Sequence, residues 1–184
     1  IAPAATVPAM RLPALLLMAS VTSAGCGASA LDRPLTVPLG LDRQGTAAAL
    51  RRFDYCPGEP TEAALEVFPR CDRPGSEWGD SWVQVEYEGD RLIRVRRWER
   101  YDDDERAVER WNQLVALRAK LGPESDPARQ ALRQLRQLPA GTRSWTAFQH
   151  GGANDVAVAV FLLTPTAPEN AAILEEIVAL PTAR

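Results

Sequence analysis

The stretch SWVQVEYEGDRLIRVRRW, from Ser81 to Trp98, carries the clearest structural pattern in the sequence. Apolar Val83, Val85 and Tyr87 alternate with polar or aromatic neighbours, and a second alternating run follows at Leu92–Trp98. A period of two is what a strand with one buried face requires. Because a Gly-Asp pair separates the runs, the stretch predicts a β-hairpin.

The length of the turn decides which residues face each other in this hairpin. A two-residue turn at Gly89-Asp90 would set Val85 opposite Arg94 on the buried face, whereas a three-residue loop sets Val85 opposite Val95. We predict the three-residue loop, because it pairs apolar residues with each other. It also sets Tyr87 opposite Ile93, Val83 opposite Arg97, Glu86 opposite Arg94 and Trp82 opposite Trp98.

Two helices are predicted after the hairpin. The carboxylates of Asp102–Asp104 precede a helical pattern that ends at Gly122-Pro123, and we interpret them as helix caps. A second helix begins with Asp126 as its cap and Pro127 in its first turn. The apolar stripes contain Val108, Trp111, Leu114, Val115 and Leu117 in the first helix, and Leu132, Leu135 and Leu138 in the second.

The last third of the chain predicts a second hairpin and a final helix. Trp145–Gln149 and Val156–Leu163 are separated by a turn with two glycines, and alternating valine and alanine in the second run indicates a central strand. Thr166 and Glu169 form a capping box, with Pro168 in the first turn. We therefore expect a final helix whose apolar stripe contains Ile173, Leu174, Ile177 and Val178.

The region before Ser81 is less regular. It predicts a short helix within Gln44–Phe53 and a strand at Ala64–Phe68. Together with the later elements it indicates an α+β fold. We expect an antiparallel sheet of two hairpins with helices packed on one face, a two-layer sandwich that buries both kinds of apolar surface.

The front of the chain has the pattern of an export signal. Met10 and Arg11 are followed by an apolar run, Leu12–Val21, and then by small residues up to Cys26. Charged, apolar and small residues in this order are typical of a secretory signal. The run is about ten residues long, roughly half of a stable membrane span. We therefore expect residues 1–25 to be cleaved.

The residues around the first cysteine, Ser23-Ala24-Gly25-Cys26-Gly27, resemble the lipobox of bacterial lipoproteins. Ala24, Gly25 and Cys26 fit the motif, whereas Ser23 stands where the family usually has leucine. The resemblance implies that Cys26 is diacylated. The lipid would then anchor the protein to a membrane of the bacterial cell envelope, facing the periplasm or the exterior. The alternative is ordinary secretion of a soluble protein.

The other two cysteines are expected to pair. If Cys26 carries lipid, Cys56 and Cys71 remain, and an oxidising compartment favours a disulfide between them. A metal site is the alternative, but two cysteines without a nearby histidine fall short of the four ligands that zinc takes. Residues 26–42, which contain prolines and few periodic apolar residues, predict a flexible tether. Residues 43–180 then form a single domain.

The sequence offers little catalytic chemistry, and we expect no enzyme, no cofactor and no metal. His150 is the only histidine and lies in a turn, where a catalytic role would need a partner that only Asp155 could supply locally. The acidic run from Asp102 to Glu105 suggests calcium, but it lacks the spacing and the glycine of a calcium loop. Helix capping explains the run without a ligand.

The charge balance excludes one class of partner. The chain has 21 Lys and Arg against 24 Asp and Glu, and its formal net charge is -3. Nucleic-acid-binding proteins show a basic balance, so we expect no nucleic acid.

One surface stands out as a possible binding site for a protein partner. Arginines are interleaved with aromatic residues in the hairpin, and tryptophan and arginine are enriched in binding hot spots. We predict a partner-binding face made of Trp82, Arg94, Arg96 and Trp98. The layout is similar to the small tethered domains of bacterial envelope lipoproteins, including assembly-factor subunits and inhibitor-like proteins. That similarity implies a non-enzymatic binding or scaffolding role with an envelope protein as partner.

Two other functions stay open at this stage. A small-ligand or lipid-binding domain would use a cavity between sheet and helices, and a degenerate enzyme is a third possibility. A filled core beneath Val156–Leu163 together with an exposed Trp98 would favour protein binding, whereas an open apolar pocket would favour a ligand.

Overall fold

Six antiparallel strands and three helices make up the described part of the chain, residues 33–58, 65–72, 80–150, 155–164 and 171–180 of a computed structural model. In chain order they are α1 (Arg43–Arg51), β1 (Leu65–Pro69), β2 (Ser81–Glu88), β3 (Arg91–Tyr101), α2 (Asp104–Leu121), α3 (Asp126–Leu135), β4 (Thr142–Gln149), β5 (Val156–Leu163) and β6 (Ala171–Ala179). The α+β class is therefore confirmed.

The strands form one sheet in the order β1-β2-β3-β6-β5-β4. Both predicted hairpins are present as β2–β3 and β4–β5, but the last strand of the chain lies between them. Leu174 of β6 pairs with Trp98 of β3 on one side and with Phe161 of β5 on the other. The sheet therefore has six strands and is not built from two hairpins alone.

The predicted final helix is wrong, because residues 171–179 form the central strand β6. Apolar pairs at 173–174 and 177–178 fit a helical stripe, but they equally fit a strand that is buried on both faces. Seven of the nine residues of β6 are buried, and β-branched Ile173, Ile177 and Val178 favour a strand. The predicted capping box at Thr166 and Glu169 lies outside the described residues.

The β2–β3 register follows the prediction over most of its length. Val85 pairs with Val95, Glu86 with Arg94, and Trp82 with Trp98, as expected. The turn itself has two residues, Gly89 and Asp90, and a register shift at Glu86/Tyr87 brings Tyr87 opposite Leu92 rather than Ile93. Gly89 adopts φ 61°, which a two-residue hairpin turn needs.

Helices cover both faces of the sheet, so the expected placement on one face is wrong. Helices α1 and α2 pack on the face that contains Val95 and Ile173, here called the α2 face. Helix α3 packs on the opposite face, the α3 face, over Ala147, Ala157 and Ala159. The small side chains of these alanines allow the helix to approach the strands closely, as the valine–alanine alternation in β5 indicates.

The connection from α2 to α3 runs along the edge of the sheet. Gln149 donates its backbone N–H to the Pro123 carbonyl at 3.0 Å, and Ser125 donates to Ala147 at 2.9 Å. This short pairing covers the outer side of β4. Ser125 is also the N-cap of α3, one residue before the predicted Asp126, and its hydroxyl accepts from the backbone N–H of Ala128.

The domain begins earlier than the sequence predicts. Within the segment assigned to the tether, Leu35 and Val37 are fully buried on the α2 face. The segment is also fixed to the β2–β3 hairpin, because Gly40 donates its N–H to the Leu92 carbonyl and Leu92 donates to Leu41, both at 2.8 Å. The domain therefore includes residues 33–42, and the rest of the predicted tether lies outside the described residues.

The disulfide between Cys56 and Cys71 is confirmed, with a Cα–Cα distance of 4.9 Å. It lies beside the outer edge of β1. Cys56 donates its backbone N–H to the Pro69 carbonyl at 3.0 Å, and Gly58 donates to Val67 at 2.9 Å. Both outer strands of the sheet are thus flanked by hydrogen-bonded loop segments, which protects the edges from pairing with other chains.

Candidate functional site

Two groups of arginines and glutamates lie on opposite faces of the sheet. Strand β3 supplies arginines to both, because neighbouring residues of a strand point to opposite sides. The inner cluster lies beneath α2 and contains Arg97, Glu99, Arg110, Arg118 and Glu175. The sheet-face patch lies on the α3 face and contains Trp82, Glu86, Arg94, Arg96, Trp98, Arg136 and Glu176.

The inner cluster is held by two carboxylates. Glu99 accepts from Arg110 Nε at 2.9 Å and Nη2 at 3.0 Å, and from the Tyr101 hydroxyl at 2.7 Å. Glu175 accepts from Arg118 Nε at 2.6 Å. Arg97 lies between the two carboxylates, with Nη2 2.8 Å from Glu175 and Nε 3.3 Å from Glu99. These two contacts of Arg97 are ion pairs without hydrogen-bond alignment.

The N-terminal segment completes this cluster. Arg97 Nη1 donates to the Arg33 carbonyl at 2.9 Å, Arg118 Nη2 donates to the Leu35 carbonyl, and the Leu35 N–H donates to Glu175 at 3.2 Å. The cluster holds three arginines against two glutamates, and backbone carbonyls provide further acceptors for the remaining positive charge. All five charged side chains are buried, so the inner cluster holds α2 and the N-terminal segment against the sheet.

The charges of the inner cluster oppose the effect of burial on the pKa values of Arg97 and Glu99. Burial alone would raise the pKa of Glu99, but the charge of Arg97 and the hydrogen bonds from Arg110 outweigh it and lower the pKa. Burial acts to lower the pKa of Arg97, yet Glu175 and Glu99 raise it overall. The pKa of Tyr101 is raised by burial and by Glu99, so its hydroxyl stays protonated and donates.

The sheet-face patch is centred on Glu176 of β6, which is fully buried. Glu176 accepts from Arg96 Nε at 3.1 Å and from Arg136 at the end of α3, and Arg94 Nε lies 3.5 Å away. Glu86 of β2 forms a second bridge, 2.7 Å from Arg94 and 2.9 Å from Arg96. Three guanidinium groups therefore share two carboxylates.

The aromatic part of the patch adjoins these charges. The rings of Trp82 and Trp98 are stacked, with centroids 5.9 Å apart, and Arg100 lies over Trp82 at 4.7 Å. Trp98 Nε1 donates to Gln84 Oε1 at 3.0 Å. Trp98 is half-buried, whereas Trp82 is only 4% exposed. Of the predicted partner-binding residues, Arg94, Arg96 and Trp98 reach the surface and Trp82 supports them from beneath.

The arginines of the patch are partly exposed, unlike those of the inner cluster. The exposed fractions of the Arg94, Arg96 and Arg136 side chains are 27%, 23% and 20%, and that of Glu86 is 27%. Burial lowers the pKa of Arg136, and the nearby charges of Arg96 and Arg94 add to this against the opposing effect of Glu176. The patch thus holds three partly exposed arginines against two carboxylates.

The other candidate residues have structural surroundings. His150 is half-buried, and burial together with the charge of Arg118 lowers its pKa. In the acidic run, Asp103 caps α2 and Asp104 pairs with Arg143 at 2.8 Å. Among the described residues, no group of three or more His, Cys, Asp or Glu is placed to hold a metal ion.

Sequence reasoning found the hairpin residues of the sheet-face patch, but it missed Arg136 and Glu176 of that patch and the whole inner cluster. The α2 stripe was predicted from apolar residues, yet Arg110 and Arg118 lie on its most buried line together with Ala107 and Leu114. These four residues are spaced by three or four positions, and this spacing could have indicated that they share one face of the helix. A second signal was the pair Glu175-Glu176 within an otherwise apolar run.

The chain matches no protein-family model, and neither curated proteins nor solved structures show a significant similarity to it. None of the helices in the described ranges is long and apolar enough to cross a membrane.

Proposed function

We propose that this protein is exported, anchored through a lipid on Cys26, and binds another protein of the bacterial cell envelope through the sheet-face patch, without catalysis. The observation that carries the binding role is the patch itself. Partly exposed Arg94 and Arg96 lie beside half-buried Trp98 on a sheet face where α3, the only described helix on that side, packs over β4 and β5. These are the residue types that dominate binding hot spots.

The export part of the proposal is supported by cysteine usage. Cys56 and Cys71 are joined, as is typical of proteins in oxidising compartments. The chain has three cysteines, so Cys26 remains for the lipid. Cleavage after Gly25 would make Cys26 the first residue of the mature chain.

The filled core favours a protein partner over a small ligand. Every residue from Ala157 to Leu163 is at most 7% exposed, and large side chains from α1, α2 and α3 occupy the layers on both sides of β5. A ligand-binding domain would need a cavity there.

Mass spectrometry of protein isolated from membranes of an expressing bacterium tests the anchor. The expected mass is that of a chain beginning at Cys26, with an added diacyl group and the Cys56–Cys71 bridge. A full-length chain with free thiols would contradict the export part of the proposal.

Cross-linking in intact cells tests the binding part. The triple variant Arg94→Gln, Arg96→Gln, Trp98→Phe should lose a partner that the wild-type chain captures. The matched control is Arg106→Gln with Arg129→Gln, which removes two arginines of exposed helix pairs outside the patch. Equal capture by both folded variants would contradict the binding role.

A further inference from the structure

The sheet-face patch has the charge pattern of a surface that recognises carboxylates. Arg94 and Arg96 point to the same side of β3, and Arg136 approaches from the end of α3. Arg100 lies over Trp82 at the border of the patch, so the arginines of the patch and its border outnumber Glu86 and Glu176. The surplus is positive, although the whole chain has a net charge of -3.

The two carboxylates of the patch differ in a way that suggests how a partner binds. Glu176 is fully buried and supports the arginines from beneath. Glu86 is 27% exposed and bridges Arg94 and Arg96 from the neighbouring strand β2, at 2.7 and 2.9 Å. Glu86 is therefore the more accessible of the two carboxylates, and the one that a partner's carboxylate would replace.

We propose that the partner presents an acidic segment, with Asp or Glu side chains that bind Arg94 and Arg96 in place of Glu86 and an apolar side chain that packs on Trp98. This inference rests on the proposed function and adds the chemistry of the partner. Arginine forms paired hydrogen bonds with planar carboxylates, and such charge-assisted bonds give specificity as well as affinity.

The position of the N-terminal segment favours a protein over a lipid surface. Arg33 and Leu35 lie on the α2 face, where they contact Arg97 and Arg118, whereas the patch lies on the α3 face. Six residues separate Cys26 from Arg33, a span of at most about 25 Å when extended. A lipid on Cys26 would therefore be attached near the α2 face, and the patch lies on the opposite face of the sheet.

Binding of a defined peptide to the full disulfide-bonded chain tests the inference. The probe is a short peptide of alternating glutamate and valine, compared with the same peptide carrying glutamine for glutamate. Vesicles of phosphatidylglycerol and phosphatidylcholine, and a single-stranded oligonucleotide, are measured in parallel. We expect the glutamate peptide to bind about tenfold more tightly than the glutamine peptide, with an affinity that falls as salt rises.

Three variants are expected to change the affinity for the glutamate peptide in three different ways. Arg94→Gln with Arg96→Gln should weaken binding of the glutamate peptide about tenfold. Glu86→Gln should strengthen it severalfold, because the internal competitor is gone, whereas a patch that only stabilises the fold would gain nothing from that change. Arg106→Gln with Arg129→Gln should leave binding unchanged. Thermal unfolding of each variant shows that the domain is folded.

The outcomes separate this inference from the proposed function. Equal binding of the two peptides, or preference for the vesicles or the oligonucleotide, overturns the acidic-partner inference. Cross-linking in cells that depends on Trp98 but not on Arg94 and Arg96 also overturns the acidic-partner inference. The proposed function is compatible with that result. Absence of any partner in cells, together with an unmodified Cys26, overturns the proposed function itself.

Discussion

Arg97 of β3 and Glu175 of β6 form an ion pair at the centre of the sheet, with Nη2 2.8 Å from Oε2 and neither side chain more than 1% exposed. The two residues face each other across neighbouring strands. Arg118 from α2 reaches the same carboxylate, so one glutamate joins two strands and a helix. Such a group is costly to desolvate and therefore requires all of its partners.

Replacement of Glu175 by Gln is expected to destabilise the domain severely. The change leaves Arg97 and Arg118 buried with an uncompensated charge, which costs about 3–5 kcal/mol of the free energy of unfolding. The measurement is the urea midpoint at neutral pH. Asp102→Asn is the control, because it removes an exposed pair with Arg106 and should change the free energy by less than about 0.5 kcal/mol. Similar losses in the two variants would show that the inner cluster does not hold the domain together.

The parts of the fold that the sequence predicted correctly are those with a local signal. Both hairpins were predicted, because alternation and a nearby turn define them locally. Strand β6 was missed, because its pairing with β3, where Leu174 lies opposite Trp98, joins residues far apart in the chain, and because Thr166 and Glu169 before it were interpreted as a helix cap. Its apolar pairs fit a helical stripe as well as a strand covered on both faces, and only the tertiary context decides between them.

The candidate site divides in the same way. The Glu86–Arg94 pair and the Trp82–Trp98 stack lie within one hairpin, and register alone predicts them. Glu176 and Arg136 come from β6 and the end of α3, so the missing strand concealed them. The inner cluster was concealed for another reason, because a buried arginine on a helix looks like a surface residue until its carboxylate partner is known.

The acid side of the stability profile should depend on Glu99. Its pKa is lowered in the folded state from the ordinary value of 4.5, so its ionised form contributes stability above that value. The contribution is lost as the pH falls through the lower, folded-state pKa. Glu99→Gln should therefore lower stability at neutral pH and flatten the decline below about pH 4.5. Urea midpoints measured across this range test the slope, with Glu109→Gln on the exposed side of α2 as the control. An unchanged acid slope in Glu99→Gln would contradict the assignment.

Truncation distinguishes the tether from the domain. A chain that begins at Arg33 should unfold with the same midpoint as one that begins at Cys26, because the mostly small and polar residues at 27–32 have the composition of a flexible spacer. A chain that begins at Arg43 loses buried Leu35 and Val37 and the carbonyls that bind Arg97 and Arg118. Burial of two aliphatic side chains alone is worth about 3–6 kcal/mol, so the shorter chain should be unfolded or nearly so. Far-ultraviolet circular dichroism and urea titration measure the stability of each chain. Equal stability of the chains that begin at Arg33 and at Arg43 would show that residues 33–42 belong to the tether and not to the domain.

Removal of the disulfide should weaken the domain by a smaller amount. The bridge closes a loop with a sequence separation of 15, for which chain entropy gives about 3 kcal/mol. Cys56→Ser with Cys71→Ser should lower the urea midpoint accordingly, whereas Cys26→Ser should leave it unchanged. The same loss should follow when a reductant is added to the wild-type chain, and a midpoint insensitive to reductant would contradict the expected contribution.

Replacement of Gly122 by Ala should open the edge of the sheet beside β4. An added Cβ would clash with the Gln149 carbonyl oxygen, and a backbone atom cannot yield as a flexible side chain does. The α2–α3 connection would move outward, breaking the bonds from Gln149 to Pro123 and from Ser125 to Ala147. The expected loss is about 1–3 kcal/mol, the usual range for forcing an extra carbon into a packed position.

Amide hydrogen exchange locates this effect. The N–H groups of Gln149 and Ser125 should exchange faster in Gly122→Ala, while the β2–β3 hairpin keeps its protection. Lys120→Ala is the control, because it changes an exposed side chain in the last turn of α2, where a substitution alters the free energy of unfolding by no more than about 0.5 kcal/mol. If the two variants lose equal stability, or if exchange rises evenly over the sheet, the close approach at Gly122 does not fix the edge. If exchange rises only at Gln149 and Ser125, the close approach of Gly122 to the Gln149 carbonyl holds the α2–α3 connection against the edge of β4.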